Sequence, residues 1–361
     1  AEALSWAEKA VELAKKLNAH EVIARSYACL GEILGWLGDR KKAVECMERA
    51  LKIALDNGCM DTALWVYNDR GMLPAEEHER ILEYLEKGFE LAKKVGDTSW
   101  MSWIGTNLVG MYIGMGNANK AVPLEEELVA LDRKADYLTH LSMSLDLLGF
   151  AYHVLGEWDK SEQYYKEALS NSQRLDDFQS IAFGYGCIGW LYFDKGEYTK
   201  AREFLEKMYE VFERHGAKSS QMGSSQYAIP AYIELGEIEK AQNLIDNLHE
   251  YALEAEGKNL IATADGLRAM LFRAQKKWQE SIEQFEKSLQ EFEALNARQW
   301  NVYWFAKMVL CEYARVYLER NQEGDREKAH NLLNQALEIF QKMDAKKEIE
   351  KIIAKKKLLT A

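Results

Sequence analysis

Residues of the kinds that do chemistry recur along this chain at helical spacing, and they are kinds that recognise more than they react. Met143, Asp146, Phe150 and His153 stand three and four residues apart, which places them on one stripe of a helix. Phe183, Gly186, Trp190 and Phe193 repeat the spacing forty residues on. Trp65 and Asn68, Trp103 and Thr106, Gln226, Met270 and Arg273, and Met308 and Arg315 occupy the matching stripes. Rings interspersed with a few amide, carboxylate and guanidinium groups suit an apolar peptide, a helix, or a small molecule such as a sugar or nucleotide. Helices packed tightly against one another along the same faces would give the same stripe. The sequence leaves both readings open.

Catalytic chemistry has no comparable signal. The chain lacks GxxxxGK[ST], HExxH, GxSxG, and a GxGxxG after a strand. Its seven histidines never pair at three- or four-residue spacing, so a metal site would need ligands converging from distant segments. Acid runs such as Glu125-Glu126-Glu127 read as solvated helix faces. The expectation is a non-enzyme with no cofactor and no metal.

Composition narrows the partners. The net charge is −12, with carboxylates spread along the chain, which argues against nucleic-acid binding by this segment. Lys346-Lys347 and Lys355-Lys356-Lys357 are interrupted by acids and read as a solvated helix face near a helix C-terminus. Five cysteines without a CxxC pair, several on helix-packing positions, read as buried thiols of a reducing, cytoplasmic compartment. No apolar run reaches membrane-spanning length, and no signal peptide is visible. The chain opens at Ala1, partway through a repeating unit, and is expected to be a segment of a longer cytoplasmic protein.

The elements that must position the stripe are helices. Ala, Leu, Glu and Lys abound, only three prolines occur, and period-two alternation is absent. One small-residue series runs Ala3, Ala43, Ile81, Ala121, Ser161, Ala201, Ala241, Ser281, Ala329, with intervals of 40, 38, five of 40, and 48. A second, seven residues further on, runs from Ala10 and Ala50 to Ala336 with the same spacing. So regular a period denotes a repeat array. Gly38, Gly116, Gly156, Gly196, Gly236 and Gly324 mark a turn inside the repeats. Asn18, Gly58, Gly96, Asp136, Asp176, Gly216, Glu256, Asn296 and Asp344 mark a turn between them. Each unit is thus two antiparallel helices of about 16–18 residues, roughly 25 Å long. Large residues followed four later by glycine, as in Tyr27/Gly31, Leu145/Gly149 and Tyr185/Gly189, let the second helix cross closely.

Three places depart from the period. Leu73-Pro74-Ala75-Glu76-Glu77 replaces the inner turn of the second repeat, and its proline should end the first helix early. Lys218–Ser225 is polar and Gly/Ser-rich, and Pro230 in mid-helix predicts a kink. The last interval gains five residues near 296–309 and three at 321–323, beside the aromatic cluster Trp300, Tyr303, Trp304 and Phe305. That cluster reads as an aromatic core closing the array's end, with a partner contact as the other reading.

Leu148-Gly149, Tyr152, Gly156, Tyr165 and Ala168, echoed by Ile188-Gly189, Tyr192, Gly196, Ala201 and Leu205, resemble the tetratricopeptide repeat. The resemblance covers essentially the whole chain, in a long form of about 40 residues against the ordinary 34. This form is similar to the sensor regions of STAND-type signalling ATPases and their transcription-factor relatives, to arrays attached to nucleotide cyclases, and to Pins-type polarity adaptors. It implies an all-α, right-handed superhelical solenoid of helix hairpins whose first helices line a concave face. The expected layout is one array over 1–361: a lone second helix at 1–17, about eight hairpins over 18–344, and a capping helix at 345–361. The expected function is a non-catalytic interaction or sensor module of a larger signalling protein, binding a protein or peptide segment, or a small-molecule effector. The concave candidates are Trp65, Asn68, Trp103, Met143, Asp146, Phe150, His153, Phe183, Trp190, Gln226, Arg273 and Arg315. The alternative is a scaffold that self-associates through the ends of the array, for which Trp300, Trp304 and the first half-repeat are the motive.

Overall fold

Every turn position singled out by the repeat takes the left-handed backbone conformation that stops a helix. The nine residues between repeats, from Asn18 to Asp344, all have positive φ, between 49° and 73°, and so do the six glycines within repeats, between 76° and 82°. Five of the nine carry side chains of Asn or Asp, which tolerate this region best after glycine. The acid after the inner glycine plays a smaller part than its position implies. Asp39 accepts from the Lys42 amide, whereas Glu157, Glu197 and Glu237 make no cap and instead pair with basic side chains.

The computed structural model describes residues 2–70, 78–296 and 301–360, and these are helical apart from their turns. Two compact units result, Ala1–Met111 and Tyr112–Ala361. The first contains α1 (Glu2–Lys16), α2 (His20–Trp36), α3 (Arg40–Asp56), α4 (Met60–Arg70), α5 (His78–Val95) and most of α6 (Thr98–Gly114). The second contains α7 (Ala118–Ala135), α8 (Leu138–Leu155), α9 (Trp158–Leu175), α10 (Phe178–Asp194), α11 (Tyr198–Arg214), α12 (Lys218–Glu234), α13 (Ile238–Glu254), α14 (Lys258–Ala274) and α15 (Trp278–Ala294). It continues through a single turn, α16 (Val302–Trp304), a π-helical stretch (Phe305–Cys311), α17 (Glu312–Arg320), α18 (Asp325–Met343) and α19 (Lys346–Thr360). Among the described residues no helix is long and apolar enough to cross a membrane.

Close helix crossing holds each hairpin together. A Cβ on Gly149 would lie 2.6 Å from the Tyr165 ring, and one on Gly189 would lie 2.7 Å from Leu205 Cγ. The absent side chain is therefore what lets the large residue of the second helix sit across the first. Leu145, Leu148 and Tyr152 of α8 pack with Val129 of α7 and Ala168 of α9, so the ridge read from the repeat is the core.

Two expected irregularities resolve differently. The Gly/Ser-rich stretch 218–225 is regular helix, and α12 continues through the buried Pro230. Part of the lengthened last interval is the π-helical stretch, whose wider turns absorb extra residues without breaking the helix. Tyr303, Trp304 and Phe305 are all buried there, as a closing core requires. Segment 73–77 and Trp300 lie outside the described residues. The cysteines are all free, but only Cys311 is fully buried and Cys29 is exposed, so the reading of uniformly buried thiols is too strong.

Candidate functional site

The stripe on the first helices of the second unit forms rows of equivalent positions forty residues apart, and its exposed side chains lie in the first row. Near the helix N-termini, Met143 is 37% and Phe183 53% exposed. One turn on, Asp146 and Gly186 are buried and Gln226 is half-buried, its amide donating to the Gly223 carbonyl at 2.9 Å. In the next row Phe150 is half-buried and Trp190 buried; in the last, His153 and Arg273 are buried. The two readings left open by the sequence therefore divide the stripe between them. Its first row is open and the rows below are buried or half-buried.

What closes the lower rows is the end of the same chain. Trp190 stacks on Trp304 with ring centroids 4.8 Å apart, and Tyr227 stands edge-on to both. Beneath them Asp194 is fully enclosed. Its Oδ2 meets His153 Nε2 at 2.8 Å and accepts from the Tyr303 hydroxyl at 2.9 Å; its Oδ1 lies 2.5 Å from Lys307 Nζ. Lys351 of α19 donates to the Asp194 carbonyl at 2.9 Å. Glu348, also on α19, joins Lys307 and Lys351 at 3.1 and 2.9 Å. Burial works against charge on Asp194, but the Lys307 ammonium and His153 outweigh it and hold the carboxyl well below its ordinary range. The same carboxylates keep Lys307 charged despite its burial.

A second network spends two of the predicted groove cations. Arg273 of α14 binds Glu234 and Glu319 at 2.9 and 2.8 Å, and Arg315 of α17 binds the same two at 2.7 Å each. The structure thus brings Arg273 and Arg315 together, and their partners are internal. His153, Trp190, Arg273 and Asp146 were expected on an open concave face, and each is buried: His153 lies against Tyr303, Trp190 against Trp304, and Arg273 between Glu234 of α12 and Glu319 of α17. In the first unit Trp65 is half-buried under the Arg25 guanidinium, Asn68 accepts from Asn107 at 2.8 Å, and Trp103 remains 40% exposed. Beside Asn68, burial pushes the Asp69 carboxyl up to about 6.

Glu125 corrects another reading. It is 0% exposed, not solvated, and among the described residues neither carboxyl oxygen has a hydrogen-bond partner. It stands four residues after Ala121, where the other repeats place Leu85, Tyr165, Leu205, Ile245 and Phe285. Asp132, on the same helix, is equally buried and accepts from the Ser144 hydroxyl at 3.0 Å. The signal was present in the register, hidden by the polar neighbours Glu126 and Glu127. Among the described residues no cluster of three metal-ligating side chains forms.

Family models described as tetratricopeptide repeat match residues 140–214 and 24–57. These two stretches match the tetratricopeptide repeat. The first match spans the hairpins that supply Met143, Asp146, Phe183 and Asp194. No curated protein sequence matches the chain. Among solved structures, a Rap conjugation gene regulator of the plasmid pLS20, in complex with a Phr peptide, aligns at TM-score 0.61 and 14% identity, covering 91% of this chain and 77% of its own. The apo form of the quorum sensor NprR from B. thuringiensis aligns at 0.56 and 15%, covering 97% and 92%. A STAND signal-transduction ATPase with a tetratricopeptide-repeat sensor, from Pyrococcus horikoshii, aligns at 0.52 and 19%, covering 81% of this chain and 48% of its own. At such identities the likeness is one of fold. The repeated helix hairpins read from the turns are the architecture observed.

Proposed function

We propose that the tetratricopeptide repeats of residues 112–361 bind a segment of another protein across the open first row of α8, α10 and α12, as a non-catalytic module of a larger signalling or regulatory protein. The observation that carries this reading is the exposure of Met143 and Phe183 at equivalent positions of neighbouring first helices, where the rows below are packed. A thioether and an aromatic ring held in the open on rigid helices are the kind of apolar surface that binding uses. Gly223 at the next equivalent position leaves the row open, since a Cβ there would meet only the edge of Tyr251, at 3.9 Å. The peptide complex of the Rap regulator, a neighbour in fold, supports a peptide as the occupant. A small effector has less room: the recess beside Leu267, Met270 and Trp304 has a cavity volume of about 10 Å³, space for little more than one water.

Selection of linear heptapeptides on the purified chain, followed by titration of the winners, tests this. Phe183→Ala and Met143→Ala should each weaken binding about 10-fold or more, as loss of a buried anchor does, with melting unchanged because both side chains are exposed. Undiminished binding by both variants would place the ligand elsewhere.

A second reading, self-association, rests on α1. Trp6, Leu13 and Leu17 are 64%, 59% and 68% exposed and share one face with the exposed Ala3 and Ala10. On α3 the equivalent face, Ala43, Cys46, Ala50 and Ile53, packs into the core that includes Tyr27, Leu30 and Leu34 of α2. Sedimentation across a concentration series decides it: dimers abolished by Trp6→Glu support the reading, and a monomer at every concentration removes it.

A further inference from the structure

We propose that Asp146 anchors one cationic side chain, a lysine or an arginine, of the peptide segment bound over α8 and α10; this rests on the groove reading above. Asp146 lies on the binding stripe, one turn beyond the exposed Met143 and one turn before the half-buried Phe150. It is 6% exposed, and its Oδ1 is sealed without a hydrogen-bond partner. A buried carboxyl left in that state is costly, and native proteins supply a partner for such groups.

The rest of the unit shows which partner fits. Asp194 has Lys307, Asp265 has Lys287 at 2.8 Å, Glu348 has Lys307 and Lys351, and Glu234 has Arg273 and Arg315. The buried Asp194, Asp265 and Glu348 and the half-buried Glu234 are thus each met by an ammonium or guanidinium group, whereas the buried Glu125 and Asp132 of α7 are not. Asp146 has neither among the described residues. Its equivalent on α10 is Gly186, so no side chain from that position crowds it, and Phe183 stands exposed one turn above.

That combination suits a long basic side chain, whose aliphatic stem can lie along Met143 and Phe183 while its charged end reaches the carboxyl. An acidic or neutral segment would leave the carboxyl unpaired and meet the repulsion of a chain with net charge −12. Burial pushes the Asp146 carboxyl well above its ordinary value, and a cation beside it would favour its charged form.

The test uses the intact chain and a linear heptapeptide library. Peptides enriched on the wild type are resynthesised with each lysine replaced by norleucine and each arginine by citrulline, and titrated against wild type, Asp146→Asn and Phe183→Ala. The expected result is one shared basic residue whose replacement weakens binding about 10- to 100-fold on the wild type, the worth of a charge-assisted contact, and by about twofold or less on Asp146→Asn. Equal loss on both proteins, or winners without a basic residue, overturns the anchor. In that case, winners that still lose affinity on Phe183→Ala leave the groove reading intact. Winners indifferent to Phe183→Ala, or no enrichment at all, overturn both.

Discussion

Glu125→Leu should raise the melting temperature of the chain at neutral pH, and the gain should widen as the pH rises. The wild-type carboxyl is fully buried, and among the described residues neither oxygen has a hydrogen-bond partner. Burial raises its pKa well above the ordinary 4.5, and the nearby Asp132 adds to the shift, while Ser144 opposes it. A carboxyl whose folded pKa is raised contributes its stability below the unfolded pKa and loses it as the pH climbs through the folded one. Wild-type stability should therefore decline from about pH 4.5 upward, and the leucine variant should lack that decline. Removing an unsatisfied buried carboxyl in favour of a packed side chain is worth about 1–3 kcal/mol, or roughly 2–4 °C per kcal/mol for a unit of this size. The space is adequate, because Leu85 and Leu205 fill the equivalent position in other repeats at 0% exposure. Calorimetry at pH 5, 7 and 9 checks it. A variant that melts lower than wild type at all three would show that the carboxylate is held by the fold.

Glu125 also shows where the sequence was legible and where it was not. Much that is local to one hairpin could be read: the left-handed turn at Asp176, the crossing glycine at Gly149, the buried ridge of Leu145, Leu148 and Tyr152. These depend on backbone conformation and on contacts within about twenty residues, which periodicity encodes directly. Glu125 was legible in the same register, since it occupies a core position, and was misread because two neighbouring acids gave the run a polar look. The lower rows of the stripe were not legible in this way. His153 and Trp190 look like groove residues on their own helices, and their burial depends on Tyr303 and Trp304, more than a hundred residues away. How far a row of hairpins curls is the sum of many small rotations between repeats. No single spacing records that sum, so the division of the stripe into an open rim and a closed floor became visible only in three dimensions.

The closed floor itself depends most on Asp194, and Asp194→Ala is expected to be the most damaging single change in the second unit. It would leave the Lys307 ammonium buried beside only Glu348, and would take the acceptor from His153 Nε2 and the Tyr303 hydroxyl. Removing one partner of a buried ion pair costs about 3–5 kcal/mol, chiefly because the other charge stays buried. Asp194→Asn keeps the shape and one acceptor oxygen but not the charge, and should fall between the two. The pH dependence has the opposite sign to that of Glu125. With its folded pKa depressed, Asp194 contributes stability that is present above its ordinary 3.8 and is lost as the pH falls toward the folded value. Since Lys307, Glu348 and Lys351 tie Asp194 to the π-helical stretch and α19, the loss should appear first in those segments. Hydrogen exchange resolved by peptide should therefore show residues 302–311 and 346–357 deprotected in Asp194→Ala at neutral pH, and in the wild type only on acidification. Protection unchanged in those two segments would mean that the aromatic stack of Trp190 on Trp304 closes the floor without the charges. In that event Trp304→Ala, not Asp194→Ala, would be the substitution that opens it.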